Sequence, residues 1–218
     1  MSREYDRENF LKTGIYGITA EILSKGRSNT EIVEAMIEGG IRFIQYREKE
    51  KSARERYEEC LVLRALTKKA GVSFVIDDFV DLALAVDADG VHIGQTDLPP
   101  AIVRSLLGND KIIGLSTHGE ADLEAANKLV DIIDYIGTGP VYETQTKKNV
   151  SPAGLAYIRQ AAAFSKLPFV AIGGIKKENI HEVAAAGAKT AAVVSAITGA
   201  VNVVEEIRIL RQLLVDKK

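Results

Sequence analysis

Tryptophan is absent, cysteine is nearly so, and neither sign of charge dominates this 218-residue chain. With Cys60 alone, no intrachain disulfide and no cysteine metal cage can form. Its setting, ERYEECLVLRAL, reads as a helix, where a lone thiol acts as a small apolar filler. A net charge of −2 lacks the broad cationic surface of a sequence-independent nucleic-acid binder, but leaves room for local cationic pockets. No apolar run approaches the roughly 18 residues of a membrane span. Residues 1–12 are polar and charged, unlike a signal peptide. These absences predict a cytoplasmic protein that binds neither nucleic acid nor membrane.

What remains is an ordinary globular composition, 46% hydrophobic and 27% charged, in a chain of one domain's length. Short apolar runs alternate with longer helical patterns throughout. Strands are expected at 14–19, 42–47, 73–77, 90–93, 112–116, 135–138, 168–172 and 190–195. Helices are expected at 29–38, 52–70, 119–130, 176–186 and 202–215, with shorter ones at 80–86, 99–107 and 153–164. The strands are continuously apolar, as when both faces of a sheet are covered. Small turns at Gly39-Gly40, Gly71, Asp89-Gly90 and Gly187-Ala188 end helices and return the chain to the sheet. Eight such units predict an α/β fold, a single-domain TIM (β/α)8 barrel over 13–218, with residues 1–12 as an N-terminal arm. An open doubly wound sheet is the alternative; the chain has no Gly-x-Gly-x-x-Gly after its first strand.

In such a barrel the chemistry collects where strands end and βα loops begin. Alternation along strand 2 sends Gln45, Arg47 and Lys49 to one side, with Tyr46 and Glu48 between them. Strand 3 ends in Asp77-Asp78, and strand 4 runs through His92 to Asp97. Ser116, Thr117 and His118 follow strand 5, and Thr144-Gln145-Thr146-Lys147-Lys148 lies in the loop after strand 6. Gly173-Gly174 and Ser195 close strands 7 and 8, the common phosphate position of these barrels. Arg47, Lys49 and Lys147 with the hydroxyls of Ser116, Thr144 and Thr146 suit phosphate oxygens. The carboxylates of Asp78 and Asp97 suit Mg²⁺, which takes oxygen ligands and bridges substrate phosphates. One monophosphate pocket and one diphosphate pocket in the same mouth imply two substrates.

Each group also has a plainer reading. The 47–49 trio fits a solvated strand end, Asp77 and Asp78 fit helix caps, and Gly173-Gly174 fits a tight turn. His118 and His181 fit surface or capping positions, and His92 a satisfied core histidine. Polar groups at seven of the eight strand ends favour the functional reading of the set.

The segments that carry this pattern resemble one family. They are Gln45-x-Arg47-x-Lys49, DLALAVDADGVHIGQTDLP (81–99), IGLSTH (113–118), GTGPVYETQTKK (137–148), AIGGI (171–175) and VVSAI (193–197). In order and spacing, from about Gly14 to Leu214, they resemble thiamine-phosphate synthase. The resemblance implies condensation of a hydroxymethylpyrimidine diphosphate with a thiazole phosphate, releasing diphosphate. It implies that Gln45, Arg47, Lys49, Ser116 and Lys147 hold the pyrimidine diphosphate, with Arg47, Lys49, Lys147 and Ser116 as the catalytic set. It implies Mg²⁺ on Asp78 and Asp97, and Thr144, Thr146, Gly174, Val194 and Ser195 against the thiazole phosphate or the neighbouring diphosphate. Tyr46, Glu48, Asp77, Gln145 and Gly173 are counted with the substrate-binding residues. One place departs from the family pattern: Asp77-Asp78-Phe79 stands where the family usually shows Asn-Asp-Arg. A carboxylate only accepts hydrogen bonds, whereas an amide also donates. Two other functions compete: a thiazole tautomerase of the same fold, whose members tend to carry histidine where Pro140 stands, and a non-catalytic phosphate-ligand-binding barrel. Assembly as a homo-oligomer is compatible with all three.

Overall fold

Strands that are apolar on both faces need cover from inside and outside, and a closed parallel sheet wrapped in helices supplies both. The computed structural model describes residues 1–144 and 151–215, and its eight parallel strands close in sequence order, β8 pairing with β1. The strands are β1 (Ile15–Ile18), β2 (Phe43–Tyr46), β3 (Ser73–Asp77), β4 (Gly90–Ile93), β5 (Ile112–Thr117), β6 (Tyr135–Thr138), β7 (Phe169–Ile172) and β8 (Ala191–Val193). The helices are α1 (Arg3–Thr13), α2 (Asn29–Glu38), α3 (Ala53–Ala70), α4 (Val80–Ala85), α5 (Pro100–Leu107), α6 (Glu120–Ala126), α7 (Gly154–Phe164), α8 (Ile180–Ala185), α9 (Ser195–Thr198) and α10 (Val203–Val215). The expected TIM barrel is the observed fold.

Inward and outward side chains form separate cores. Ile15, Ile44, Phe74, Ile76, Val91 and Ile113 face the helices, whereas Tyr16, Ile18, Phe43, Val75, Ile112 and Tyr135 fill the barrel. This is the period-two alternation of a strand acting on sequences apolar at every position. Local signals start and stop the helices. Ser28 with Glu31 and Ser52 with Glu55 form capping boxes at the starts of α2 and α3, and Gly71 ends α3 in the left-handed region at φ 67°. At Gly90 the need is different: a Cβ there would lie 1.9 Å from the Ile112 carbonyl oxygen. It is close strand packing, not a left-handed turn, that requires glycine at this position.

The segment expected as an arm is mostly helix. Ser2 caps α1, and Phe10 enters the barrel from its N-terminal end, with ring centroids 5.4 Å from Phe43 and 4.4 Å from Tyr135. Asn9 donates to Ser73 Oγ and to the Gly71 carbonyl, tying the helix to the start of β3. Arg3 and Arg7 meet the buried Asp134 carboxylate, which also receives Arg104. The N-terminal end of the barrel is thereby closed, and the opposite end remains open.

Candidate active site

The open end holds a cavity whose floor is apolar, with Ile18, Val170, Ile172 and Ala192, and whose rim is polar. Gln45, Arg47, Asp77, His92, Ser116 and Thr144 line it from β2 to the loop after β6. Gly173, Gly174, Val194 and Ser195 line it from the ends of β7 and β8. An apolar floor with a few convergent polar groups is the ordinary form of a small-molecule site.

Strand parity decides which residues of the 45–49 segment take part. Gln45 points inward, its amide donating to the Tyr16 hydroxyl at 3.2 Å. Arg47 Nε lies 3.3 Å from Asp77 Oδ2, and Lys49 Nζ lies 2.8 Å from Asp78 Oδ2 and 3.9 Å from Asp77. Tyr46 and Glu48, also expected to bind substrate, point the other way, towards α2 and α3. Tyr46 is buried in the outer core and donates to Glu59 at 2.6 Å. Glu48 accepts from the Glu21 backbone and from Asn29, each at 2.9 Å.

The two aspartates expected to hold a metal come together. Asp78 has φ 63°, a left-handed value uncommon for a residue with a side chain, although aspartate tolerates it better than most. Backbone bonds from Asp78 N to the His92 carbonyl and from Phe79 N to the Asp77 carbonyl hold this turn. Neither aspartate caps α4, whose N-cap is Phe79 and carries no side-chain bond. Asp97 accepts from Gly94 N at 2.6 Å. Burial raises the Asp97 carboxyl above its ordinary range; the Gly94 N–H opposes this, and the neighbouring Asp78 carboxylate adds to it. Phe79, where the family pattern has arginine, lies under a guanidinium from the adjacent helix, with Arg56 Cζ 3.7 Å from its ring centroid.

Ser116 Oγ sits 3.0 Å from His92 Nε2, and His92 Nδ1 sits 3.1 Å from the Tyr135 hydroxyl. His92 is thus a satisfied histidine that also lines the cavity; the two sequence readings meet in one residue. His118 is both a cavity wall and a local partner, its Nδ1 3.2 Å from Asp122. Glycine makes room for this group. A Cβ on Gly114 would lie 2.2 Å from Tyr135 Cζ and 2.5 Å from His92 Nδ1. Gly173 and Gly174 have φ 109° and 63°, and a Cβ on either would strike Pro140 or the 142–143 backbone. They form a tight turn and also line the cavity. Gln145, Thr146 and Lys147 lie outside the described residues. Tyr16 and Tyr135 were missed from sequence because each reads as a core aromatic; only their facing hydroxyls mark them as polar partners.

The sequence model of the thiamine monophosphate synthase family matches residues 15–197. The chain belongs to that family. A thiamine-phosphate synthase of Pelotomaculum thermopropionicum is 52% identical, over 100% of both chains. One from Caldicellulosiruptor saccharolyticus is 48% identical over 98% of this chain and 96% of its own. Among solved structures, a thiamine phosphate pyrophosphorylase from Pyrococcus furiosus superimposes with a TM-score of 0.84 at 35% identity, covering 97% of this chain and 98% of its own. The resemblance read from the motifs is therefore a family membership spanning the barrel.

Proposed function

We propose that this chain joins a hydroxymethylpyrimidine diphosphate to a thiazole phosphate, giving thiamine phosphate and diphosphate. One observation carries the reading. Arg47, Lys49, Asp77, Asp78 and Asp97 form a continuous charged cluster across the ends of β2, β3 and β4, beside Ser116 and the apolar floor. A dissociative displacement suits such a site. The methylene C–O bond breaks with its electron pair leaving on diphosphate, the pyrimidine ring spreads the resulting positive charge, and the thiazole nitrogen lone pair forms the new C–N bond. No protein nucleophile is required.

Arg47 and Lys49, with Lys147 from the family pattern, would meet the charge growing on the departing diphosphate. Ser116 and Gln45 would orient the pyrimidine diphosphate. Gly173, Gly174, Val194 and Ser195, with Thr144 and Thr146, would take the thiazole phosphate. The apolar floor aligns the two rings and keeps water from the cation. Asp78 and Asp97 fit Mg²⁺: two adjacent carboxylates, one held above its usual pKa by burial and by the other's charge, form the oxygen set such a cation prefers. Bound there, Mg²⁺ would supply charge neutralisation to the diphosphate. The substrates are small molecules. Among the described residues no helix is long and apolar enough to cross a membrane, and a cytoplasmic setting belongs to the same proposal.

A coupled assay for diphosphate release tests the reading, with the two substrates supplied together and separately, with and without Mg²⁺. Release only when both substrates and metal are present is expected. Isomerisation of a thiazole carboxylate phosphate alone would instead select the tautomerase, and binding without turnover would select a non-catalytic barrel.

A further inference from the structure

A line of hydrogen-bonded groups joins Gln45 to Ser116, both set against the pyrimidine diphosphate, through Tyr16, Tyr135 and His92, to which the displacement gives no role. Gln45 Nε2 donates to Tyr16 Oη at 3.2 Å, and Tyr16 Oη lies 2.9 Å from Tyr135 Oη. Tyr135 Oη lies 3.1 Å from His92 Nδ1, and His92 Nε2 lies 3.0 Å from Ser116 Oγ. Tyr16 and Tyr135 are 1% and 0% exposed, so their hydroxyl hydrogens need acceptors inside the protein.

Donor and acceptor capacities give the line a direction. The Gln45 nitrogen can only donate, so the Tyr16 hydrogen goes to the other partner of its hydroxyl among the described residues, the Tyr135 oxygen. Tyr135, having accepted from Tyr16, donates to His92 Nδ1. A ring nitrogen that accepts carries no hydrogen, so the His92 proton sits on Nε2 and points at Ser116 Oγ. Ser116, having accepted from His92, turns its own hydrogen into the cavity. An imidazolium does not fit: Nδ1–H would make Tyr135 accept from His92, send the Tyr135 hydrogen to Tyr16, and leave the Tyr16 hydrogen without an acceptor among the described residues.

We propose that His92 is a positioning residue, held as the Nε2–H tautomer by a one-way chain of hydrogen bonds from Gln45 through Tyr16 and Tyr135. The chain fixes the Ser116 hydroxyl as a donor into the barrel mouth, ready for an anionic oxygen of the substrate. The space requirement at Gly114 supports the assignment, because any side chain there would push His92 and Tyr135 apart. The inference rests on the synthase reading only for what the Ser116 donor meets; the tautomer itself does not depend on it.

Nitrogen-15 NMR of histidine-labelled protein reads the tautomer directly, with His92 assigned in a His118→Gln/His181→Gln background. The wild-type ring at neutral pH is expected to be neutral with its proton on Nε2. Gln45→Glu replaces the donor with an acceptor and reverses the chain, so the His92 proton is expected to move to Nδ1. In Gln45→Glu/Tyr135→Phe the His92 signal is expected to stop following residue 45. Tyr135 does not line the cavity, yet Tyr135→Phe should lower kcat about tenfold, the scale of one lost hydrogen bond, with KM for the thiazole substrate within about twofold. Combined with Ser116→Ala it should cost nothing further. A wild-type His92 protonated on Nδ1, or on both nitrogens, would overturn the proposal. So would a tautomer indifferent to residue 45, a measurement that stands even if Tyr135→Phe fails to fold. Failure of the synthase reading would show separately, as a wild-type protein that releases no diphosphate.

Discussion

At the scale of single residues, the mouth of the barrel balances cations against carboxylates at close range. Arg47 and Lys49 lie against Asp77 and Asp78, so before substrate arrives the cations that would meet diphosphate already have partners. Removing Arg47 takes away transition-state stabilisation, and Arg47→Ala is expected to reduce kcat roughly a hundredfold to a thousandfold, measured as diphosphate release at saturating substrates. Asp77 presents the opposite case. Its carboxylate competes with diphosphate for Arg47, whereas an amide would neither compete as strongly nor repel the substrate. Asp77→Asn is therefore expected to keep or raise activity and to lower KM for the pyrimidine diphosphate. Steady-state kinetics decide this, and a large loss of kcat would show that the carboxylate has its own role, such as accepting from the pyrimidine amino group.

At the scale of elements, two packing relations support the site from a distance. Inside the barrel, β5 passes close to His92 of β4 and Tyr135 of β6 only because residue 114 is glycine. Gly114→Ala should destabilise the fold by about 1–3 kcal/mol through overpacking, read by denaturant titration, and should lower activity with it. Below the barrel, α1 buries Asp6 beside Ser73 and near Asp89. Burial, with the Asp89 carboxylate adding to it, raises the Asp6 pKa to about 6 from 3.8. The folded state therefore binds the proton more tightly than the unfolded chain. The associated stability is full below the unfolded pKa and is lost as pH rises through about 6. Asp6→Asn removes that loss: thermal unfolding should show little difference from wild type near pH 4 and a gain of roughly 2 kcal/mol at pH 8. A gain independent of pH would rule out the carboxylate's charge as the cause.

At the scale of the whole molecule, one end of the barrel is built for stability and the other for binding. The N-terminal end is plugged by α1 and fastened by Arg64 on Asp89, at 2.8 and 2.9 Å, and by three arginines on Asp134. The C-terminal end gathers Arg47, Lys49, Asp77, Asp78 and Asp97 at the mouth of the cavity. Ligands that fill it should then stabilise the whole domain by mass action. Mg²⁺ with diphosphate at about a hundred times Kd is expected to raise Tm by roughly 5–10 °C. Diphosphate with a chelator should give much less, as should Asp97→Asn with both ligands. A full shift in the absence of divalent metal would remove Asp78 and Asp97 from the binding of the cation.

Local order along the chain was enough to determine the barrel and the family. Apolar periodicity, capping residues and contiguous motifs are properties of neighbours in sequence. Parity along β2 likewise separates Gln45, Arg47 and Lys49 from Tyr46 and Glu48. Tertiary structure alone decided what depends on partners far apart in the chain. The polar segment at 3–13 shows little apolar pattern and became a helix because Phe10 and the arginines find partners on β2, β6 and the turns before the strands. The Asp77–Arg47 pairing, the meeting of Asp78 with Asp97 and the chain from Gln45 to Ser116 each join different strands. Closing the sheet into a barrel sets those distances, and no local propensity encodes them.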